Sequence, residues 1–144
     1  MNNDTSFSIF SKGFNCAQAV LVPQAKKYEL TPEISFRIAS AFGAGMGRMQ
    51  ETCGAVTGAL MVIGLKYGFT VSDDSEKKKL VLDKTRLFIS EFKNKYHSIS
   101  CRELLQCDLN TEEGQKKHKN ENQRELICME CIRHASNILE HIIA

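Results

Sequence analysis

The side chains in this chain best able to do chemistry are its six cysteines, Cys16, Cys53, Cys101, Cys107, Cys128 and Cys131, in 144 residues. A chain of this length buries enough core to fold without disulfide staples, so six thiols exceed what stability requires. In a reducing compartment, clustered cysteines bind metal or exchange electrons more often than they form permanent bridges. Cys128-Met129-Glu130-Cys131 puts two sulfurs on one side of a helix turn. Dithiol redox centres and halves of many zinc or iron–sulfur sites share that spacing. Cys16, Cys53 and Cys101 each follow a common helix-capping residue, Asn15, Thr52 and Ser100. In a first helical turn, unpaired N–H groups and the helix dipole favour a thiolate and lower its pKa. Cys101 and Cys107 are too far apart for one helix turn but able to meet at a loop.

Two chemistries follow from this pattern. As a redox centre, a thiolate attacks a disulfide or oxidised substrate and a second cysteine resolves the mixed disulfide. Cys53 is the expected attacker, and Cys16 or Cys101 the resolver. As ligands, Cys16, Cys53, Cys101 and Cys128 form a complete set for tetrahedral zinc or one iron–sulfur cluster, with Cys131 a lesser candidate. The partner is then a redox protein or a thiol or disulfide substrate. A third reading is a helical interaction protein without catalysis, whose cysteines are small buried hydrophobes. Histidine adds little. His134 lies three residues after Cys131, and His97, His118 and His141 are scattered. No His-Glu-x-x-His spacing and no Gly-x-Ser-x-Gly elbow supports hydrolase chemistry.

Residues 42–48 read Phe-Gly-Ala-Gly-Met-Gly-Arg. Alternate glycines at Gly43, Gly45 and Gly47 permit backbone conformations and close approaches closed to other residues. The spacing is not that of a dinucleotide loop, and no Lys-Ser or Lys-Thr follows to hold a phosphate. A turn that lets helices and cysteines approach is the natural reading. With Gly54, these glycines are the candidate contacts for a bound cofactor.

The elements that must position these groups read as helices. Asn15 with Gln18 makes a capping box for a segment to about residue 28, which Pro23 should kink or split. Thr31-Pro32-Glu33 opens a second helix, with Ile34, Ile38 and Ala39 on its apolar side. Residues 53–65 read as a buried helix ending near Gly68, in which Gly54 and Gly58 share a face where another backbone can pack closely. A strand over residues 60–65 competes with that reading but has no convincing partner. Ser72, Asp73 and Asp74 precede a long amphipathic helix to about Tyr96, with Phe88 and Phe92 as core. Ser100 with Glu103 brackets another start. Residues 110–122 are polar and read as the least ordered stretch. From Gln123 the pattern resumes through Leu126, Ile127, Ile132, Ala135, Ile138 and Leu139. The expectation is one all-α domain over residues 1–144, a compact bundle of about five or six helices around one core.

Composition excludes several classes. Nineteen basic and seventeen acidic residues are interspersed, for a net charge of +2. No strong field gathers nucleic acid, and the lysine runs at 77–79 and 116–119 lack interleaved aromatic residues. The apolar run 55–65 is too short to cross a bilayer, and the first residues do not read as a signal peptide. A cytoplasmic location without membrane insertion is the expectation.

The chain resembles a family of redox-active proteins of about this length, named for four characteristic cysteines and a Cys-Gly-Ala-x-x-Gly motif. The residues that carry the likeness are Gly13-Phe14-Asn15-Cys16-Ala17-Gln18-Ala19-Val20-Leu21, the glycine stretch at 42–48, and Cys53-Gly54-Ala55-Val56-Thr57-Gly58-Ala59-Leu60. Cys101-Arg102-Glu103-Leu104-Leu105 and Cys128 complete the pattern. The likeness covers nearly the whole chain from about residue 10 onward. It implies four principal cysteines, Cys16, Cys53, Cys101 and Cys128, in a helical domain that handles electrons or metal. Cys107 and Cys131 stand outside the core pattern as additions. Similar domains accompany haem or iron–sulfur modules, although no Cys-x-x-Cys-His haem attachment signature occurs here.

Overall fold

Helix starts in this protein follow its capping residues. The Asn15 side chain accepts from the Gln18 N–H at 2.9 Å while the Gln18 side chain accepts from the Asn15 N–H at 2.9 Å, closing the capping box. Thr31, Asp74 and Ser100 cap in the same way, accepting from Ile34, Lys77 and Glu103. The computed structural model describes residues 3–144, with side chains from residue 5 onward. Among them run α1 (Asn3–Ser11), α2 (Cys16–Ala25), α3 (Pro32–Ile38), α4 (Gly54–Tyr67), α5 (Ser75–Tyr96), α6 (Cys101–Leu105), α7 (Glu112–Asn120) and α8 (Met129–Ile143). No strand accompanies them, and residues 60–65 are helical.

Among the described residues eight helices replace the five or six expected, because α1 and α7 leave weak apolar signals, while the one-turn α6 starts where Ser100 and Glu103 predict. The polar stretch 110–122, read as poorly ordered, contains α7. Its only buried residue is Gly114, so hydrophobic periodicity cannot reveal it. Local chemistry holds it instead: Thr111 accepts from the Gly114 N–H at 3.0 Å. Glu112 and Glu113 lie at the positive end of the helix and Lys117 and Lys119 at the negative end. Pro23 does not split α2, which runs through it to Ala25 and tightens into a 3₁₀ turn at Lys26–Tyr28. On α3, Ile34 and Ile38 are largely exposed, and the buried apolar contact beyond its end is Ala39.

The core joins α1, α2, α4, α5 and α8 through Phe10, Leu21, Val56, Ile63, Phe88, Phe92, Ile132 and Leu139. Phe88 and Phe92 stack with centroids 6.2 Å apart, as core residues should. The tightest crossing lies between α2 and α4. A Cβ on Gly58 would sit 2.7 Å from the Ala17 carbonyl oxygen and 3.1 Å from its Cα. Backbone cannot yield as a side chain can, so only glycine fits. Gly58→Leu is therefore expected to lower the denaturation midpoint by an overpacking cost of about 1–3 kcal/mol or more. An unchanged midpoint would reject the crossing. No helix among the described residues is long and apolar enough to cross a membrane.

Candidate functional site

The α2–α4 crossing that needs Gly58 also joins two cysteines. A Cβ on Gly54 would lie 3.0 Å from the Ala17 nitrogen and 3.0 Å from the Cβ of Cys16. Cys16, in the first turn of α2, is thereby held beside the start of α4. There Cys53 is itself the N-cap, one residue later than the expected cap Thr52. A short antiparallel pairing adds a third thiol. Thr52 bridges Ser100, the Cys53 N–H donates to the Ile99 carbonyl at 2.7 Å, and the Cys101 N–H donates to the Glu51 carbonyl at 2.7 Å. Cys128 ends a π turn over Arg124–Cys128, and Cys131 lies in the first turn of α8. Such wide turns occur often at functional sites. Since α8 packs on both α2 and α4, its cysteines reach the same place.

The result is a cavity of about 230 Å³ whose walls include Cys16, Cys53, Cys101, Cys128 and Cys131. All four principal cysteines border it, as does Cys131, the lesser ligand candidate from sequence. Cys107 does not. It belongs to a side cluster with Leu105 and Leu109, and its thiol donates to the Gln123 Oε1 at 3.4 Å.

One wall is built from strained backbone. Ala44, Gly45, Met46, Gly47, Arg48 and Gln50 all have positive φ, between 48° and 70°. This left-handed coil is closed by N–H donation from Gly47 to Ala41, Gln50 to Ala44 and Glu51 to Gly45, at 2.9, 3.0 and 2.9 Å. Four of the six residues are not glycine, and each such residue costs roughly 1–2 kcal/mol in this region. Strain of this kind collects at functional sites, where the surrounding structure holds it. Of the candidate cofactor contacts, Gly43, Gly45 and Gly54 line the cavity. Gly47 is not among the lining residues and faces open space.

Sequence periodicity missed Gln50, the residue that anchors this loop. Its buried side chain donates to the Cys107 carbonyl and accepts from the Leu109 N–H, both at 2.8 Å. It also missed Arg124, whose guanidinium lies 3.7 Å from the Phe10 ring centroid and donates to the Phe10 and Phe14 carbonyls. Arg124 thereby ties the π turn to the end of α1. His134 packs tilted against Phe92 and edge-on against Tyr96 and does not line the cavity.

The thiols are electrostatically unequal. Cys53 is held below the ordinary thiol range, first by the Cys131 thiol hydrogen-bonded to it, against burial, and then by the N–H groups of Ala55 and Val56. Those N–H groups lie beside the sulfur without forming a regular side-chain cap. Cys131 is pushed far up, first by the same contact with Cys53 and next by burial. Cys16 is also raised, first by contact with the Cys128 thiol and then by burial. Burial pushes Cys101 up to about 12, with the charges of Cys53 and Cys128 adding to it. Of the three cysteines expected to gain from a helix start, only Cys53 is lowered. The five-residue α6 supplies little dipole to Cys101, and Cys16 is dominated by its neighbour.

Electrostatically the sulfurs couple as two pairs around the cavity, Cys53 with Cys131 and Cys16 with Cys128. Cys101 is buried beside them. Among the described residues, no three Cys, His, Asp or Glu side chains converge closely enough to hold a metal ion. The donor chemistry suits zinc or a cluster, but pairs around a cavity do not form the closed tetrahedron of a structural zinc site.

Comparison with known proteins gives the chain its family. The sequence model of the family described as "Putative redox-active protein (C_GCAxxG_C_C)" matches residues 14–142, and the chain belongs to that family. No curated protein and no solved structure matches it.

Proposed function

We propose that this chain is a thiol–disulfide redox protein whose working pair is Cys53 and Cys131. The observation that carries this reading is that Cys53 and Cys131 line one cavity and are electrostatically coupled, with Cys53 held toward its thiolate and Cys131 toward its thiol. A thiolate is the attacking form, and a neighbouring protonated thiol is the natural resolver. The Cys53 thiolate attacks one sulfur of a substrate disulfide, forming a mixed disulfide and releasing the first substrate thiolate. Cys131 then attacks the Cys53 sulfur, forming the Cys53–Cys131 disulfide and releasing the second, with its own proton passing to a departing thiolate. Two electrons leave the protein dithiol, and the substrate disulfide becomes one thiol and one thiolate.

Cys131 replaces Cys16 and Cys101 as the favoured resolver. Cys101 keeps its proton through neutral pH and is paired with no other sulfur, while Cys16 has its own partner in Cys128. The substrate class is a thiol or disulfide, which suits a reducing compartment such as the cytoplasm. Zinc or a cluster held by Cys16, Cys53, Cys101 and Cys128 is less favoured, because the sulfurs would first have to leave their pairs and converge.

Equilibration with a graded series of reduced and oxidised glutathione, acid quenching, alkylation and peptide mapping tests the proposal. The expected product is a reversible Cys53–Cys131 disulfide. Absence of that crosslink across the whole series would remove the mechanism.

A further inference from the structure

The working pair is poorly placed to meet a large partner. Cys53 is 7 % exposed and Cys131 1 %, whereas Cys16 and Cys128 are both only partly buried and border the same cavity. A dithiol enzyme needs two thiols, and here two further cysteines, Cys16 and Cys128, line the same cavity as the first two. Covalent spacing links the pairs, because Cys128 and Cys131 are three residues apart where the π turn passes into α8. Packing links them too, because the α2–α4 crossing brings Cys16 against the start of α4 next to Cys53. The electrostatics agree, since Cys16 feels the charges of Cys53 and Cys131 as well as that of Cys128. Two exposed apolar side chains flank the outer thiols: Phe14 stands two residues before Cys16, and Leu126 two before Cys128. Arg124 ties their segments together by donating to the Phe14 carbonyl.

We infer that Cys16 and Cys128 form a second, outward dithiol that relays electrons between the buried Cys53–Cys131 pair and the disulfide of a redox partner too large for the cavity. This inference rests on the working pair proposed above.

Cys128 attacks one sulfur of the partner disulfide, releasing one partner thiol, and Cys16 then attacks the Cys128 sulfur, closing the Cys16–Cys128 disulfide and releasing the second; the partner takes two electrons and both thiol protons. The Cys53 thiolate then attacks the Cys16 sulfur, breaking the outer disulfide and releasing the Cys128 thiolate. Cys131 attacks the Cys53 sulfur of this internal mixed disulfide, releasing the Cys16 thiolate, and its proton passes to one of the outer sulfurs. One thiolate, one thiol and one disulfide stand on each side, with two electrons moved outward.

Two disulfides of different size test the relay. Glutathione disulfide is bulky, and bis(2-hydroxyethyl) disulfide is small with the same chemistry. The rate of Cys53–Cys131 disulfide formation is followed by acid quench and peptide mapping in the wild type and in Cys16→Ser/Cys128→Ser, with circular dichroism reporting helix content. The ratio of the bulky to the small rate should fall at least about tenfold in the double variant, because only the bulky reagent depends on the outer thiols. In the single variant Cys16→Ser, which removes the sulfur that Cys53 attacks, glutathione should accumulate as a mixed disulfide on Cys128. An unchanged rate ratio, or glutathione landing on Cys53 in Cys16→Ser, would overturn the relay while leaving the inner pair intact. Failure of both reagents to make the Cys53–Cys131 bond in the wild type would instead overturn the underlying reading.

Discussion

Replacing Cys53 by serine is expected to abolish two properties together, the alkylation that proceeds at the lowest pH and the reversible couple with Cys131. The site is electrostatically asymmetric. Cys53 is the thiol whose ionised form is stabilised, by the Cys131 thiol donating to it and by the Ala55 and Val56 N–H groups. Cys16, Cys101 and Cys131 are all raised, Cys101 to about 12, so at neutral pH none of them offers an equivalent thiolate. Iodoacetamide labelling across a pH series, mapped by peptide, should show Cys53 modified first. In Cys53→Ser that early step should vanish, and Cys131, relieved of the neighbour that raises it, should label at lower pH than before. Early labelling that survives the substitution would assign the thiolate elsewhere and sink the mechanism.

The same shifts set a pH dependence of stability. A thiol lowered in the folded state stabilises the fold at pH above the unfolded value of about 8.5, and loses that contribution as pH falls through the lowered folded value. The raised thiols act in the opposite sense. Above about 8.5 the unfolded chain releases protons that folded Cys16, Cys101, Cys107 and Cys131 retain, so their contribution to stability falls as pH rises. Four raised thiols oppose one lowered thiol, so alkaline solution should weaken the fold.

What could be read from the sequence follows the range of the forces involved. Capping at Asn15, Thr31, Asp74 and Ser100 is a bond over three residues, and a side-chain type at one position reveals it. The close approach at Gly54 and Gly58 was visible for a similar reason, as two missing side chains on one helix face. Helix α7 was not, because it presents Gly114 rather than an apolar stripe to its neighbour, and a Cβ there would meet the Asp108 carbonyl. The four principal cysteines were legible as types and as a family pattern. Their pairing was not, because it depends on the crossing of α2 and α4, the bridge between Thr52 and Ser100, and the π turn that aims α8. Cys131 was undervalued for the same reason. Its spacing from Cys128 suggested that these two act together, whereas the fold turns one toward Cys53 and the other toward Cys16.

Gly45→Val should be strongly damaging to the thiol site, because it strikes the strained loop where neither conformation nor space allows a side chain. Gly45 has φ +70°, and a Cβ there would lie 2.5 Å from the Glu51 nitrogen and 2.6 Å from the Gln50 Cα. Both obstacles are backbone, and a β-branched residue is poorly suited to positive φ. Relief of the clash must push residues 50 and 51 away, and those residues hold the thiol site. The Glu51 carbonyl accepts from the Cys101 N–H, the Gln50 carbonyl accepts from the Arg102 N–H at 3.1 Å, and Cys53 follows two residues later. Gly47→Ala is the matched control, since Gly47 has φ +58° with no atom within 4 Å of the added Cβ. It should cost only the conformational penalty of roughly 1–2 kcal/mol. Gly45→Val adds the steric term to that penalty, so its denaturation midpoint should fall well below that of Gly47→Ala. The low-pH labelling of Cys53 should be lost in Gly45→Val and kept in Gly47→Ala. Equal midpoints for the two variants, with Cys53 labelling preserved in both, would show that the left-handed coil does not hold the cysteine wall in place.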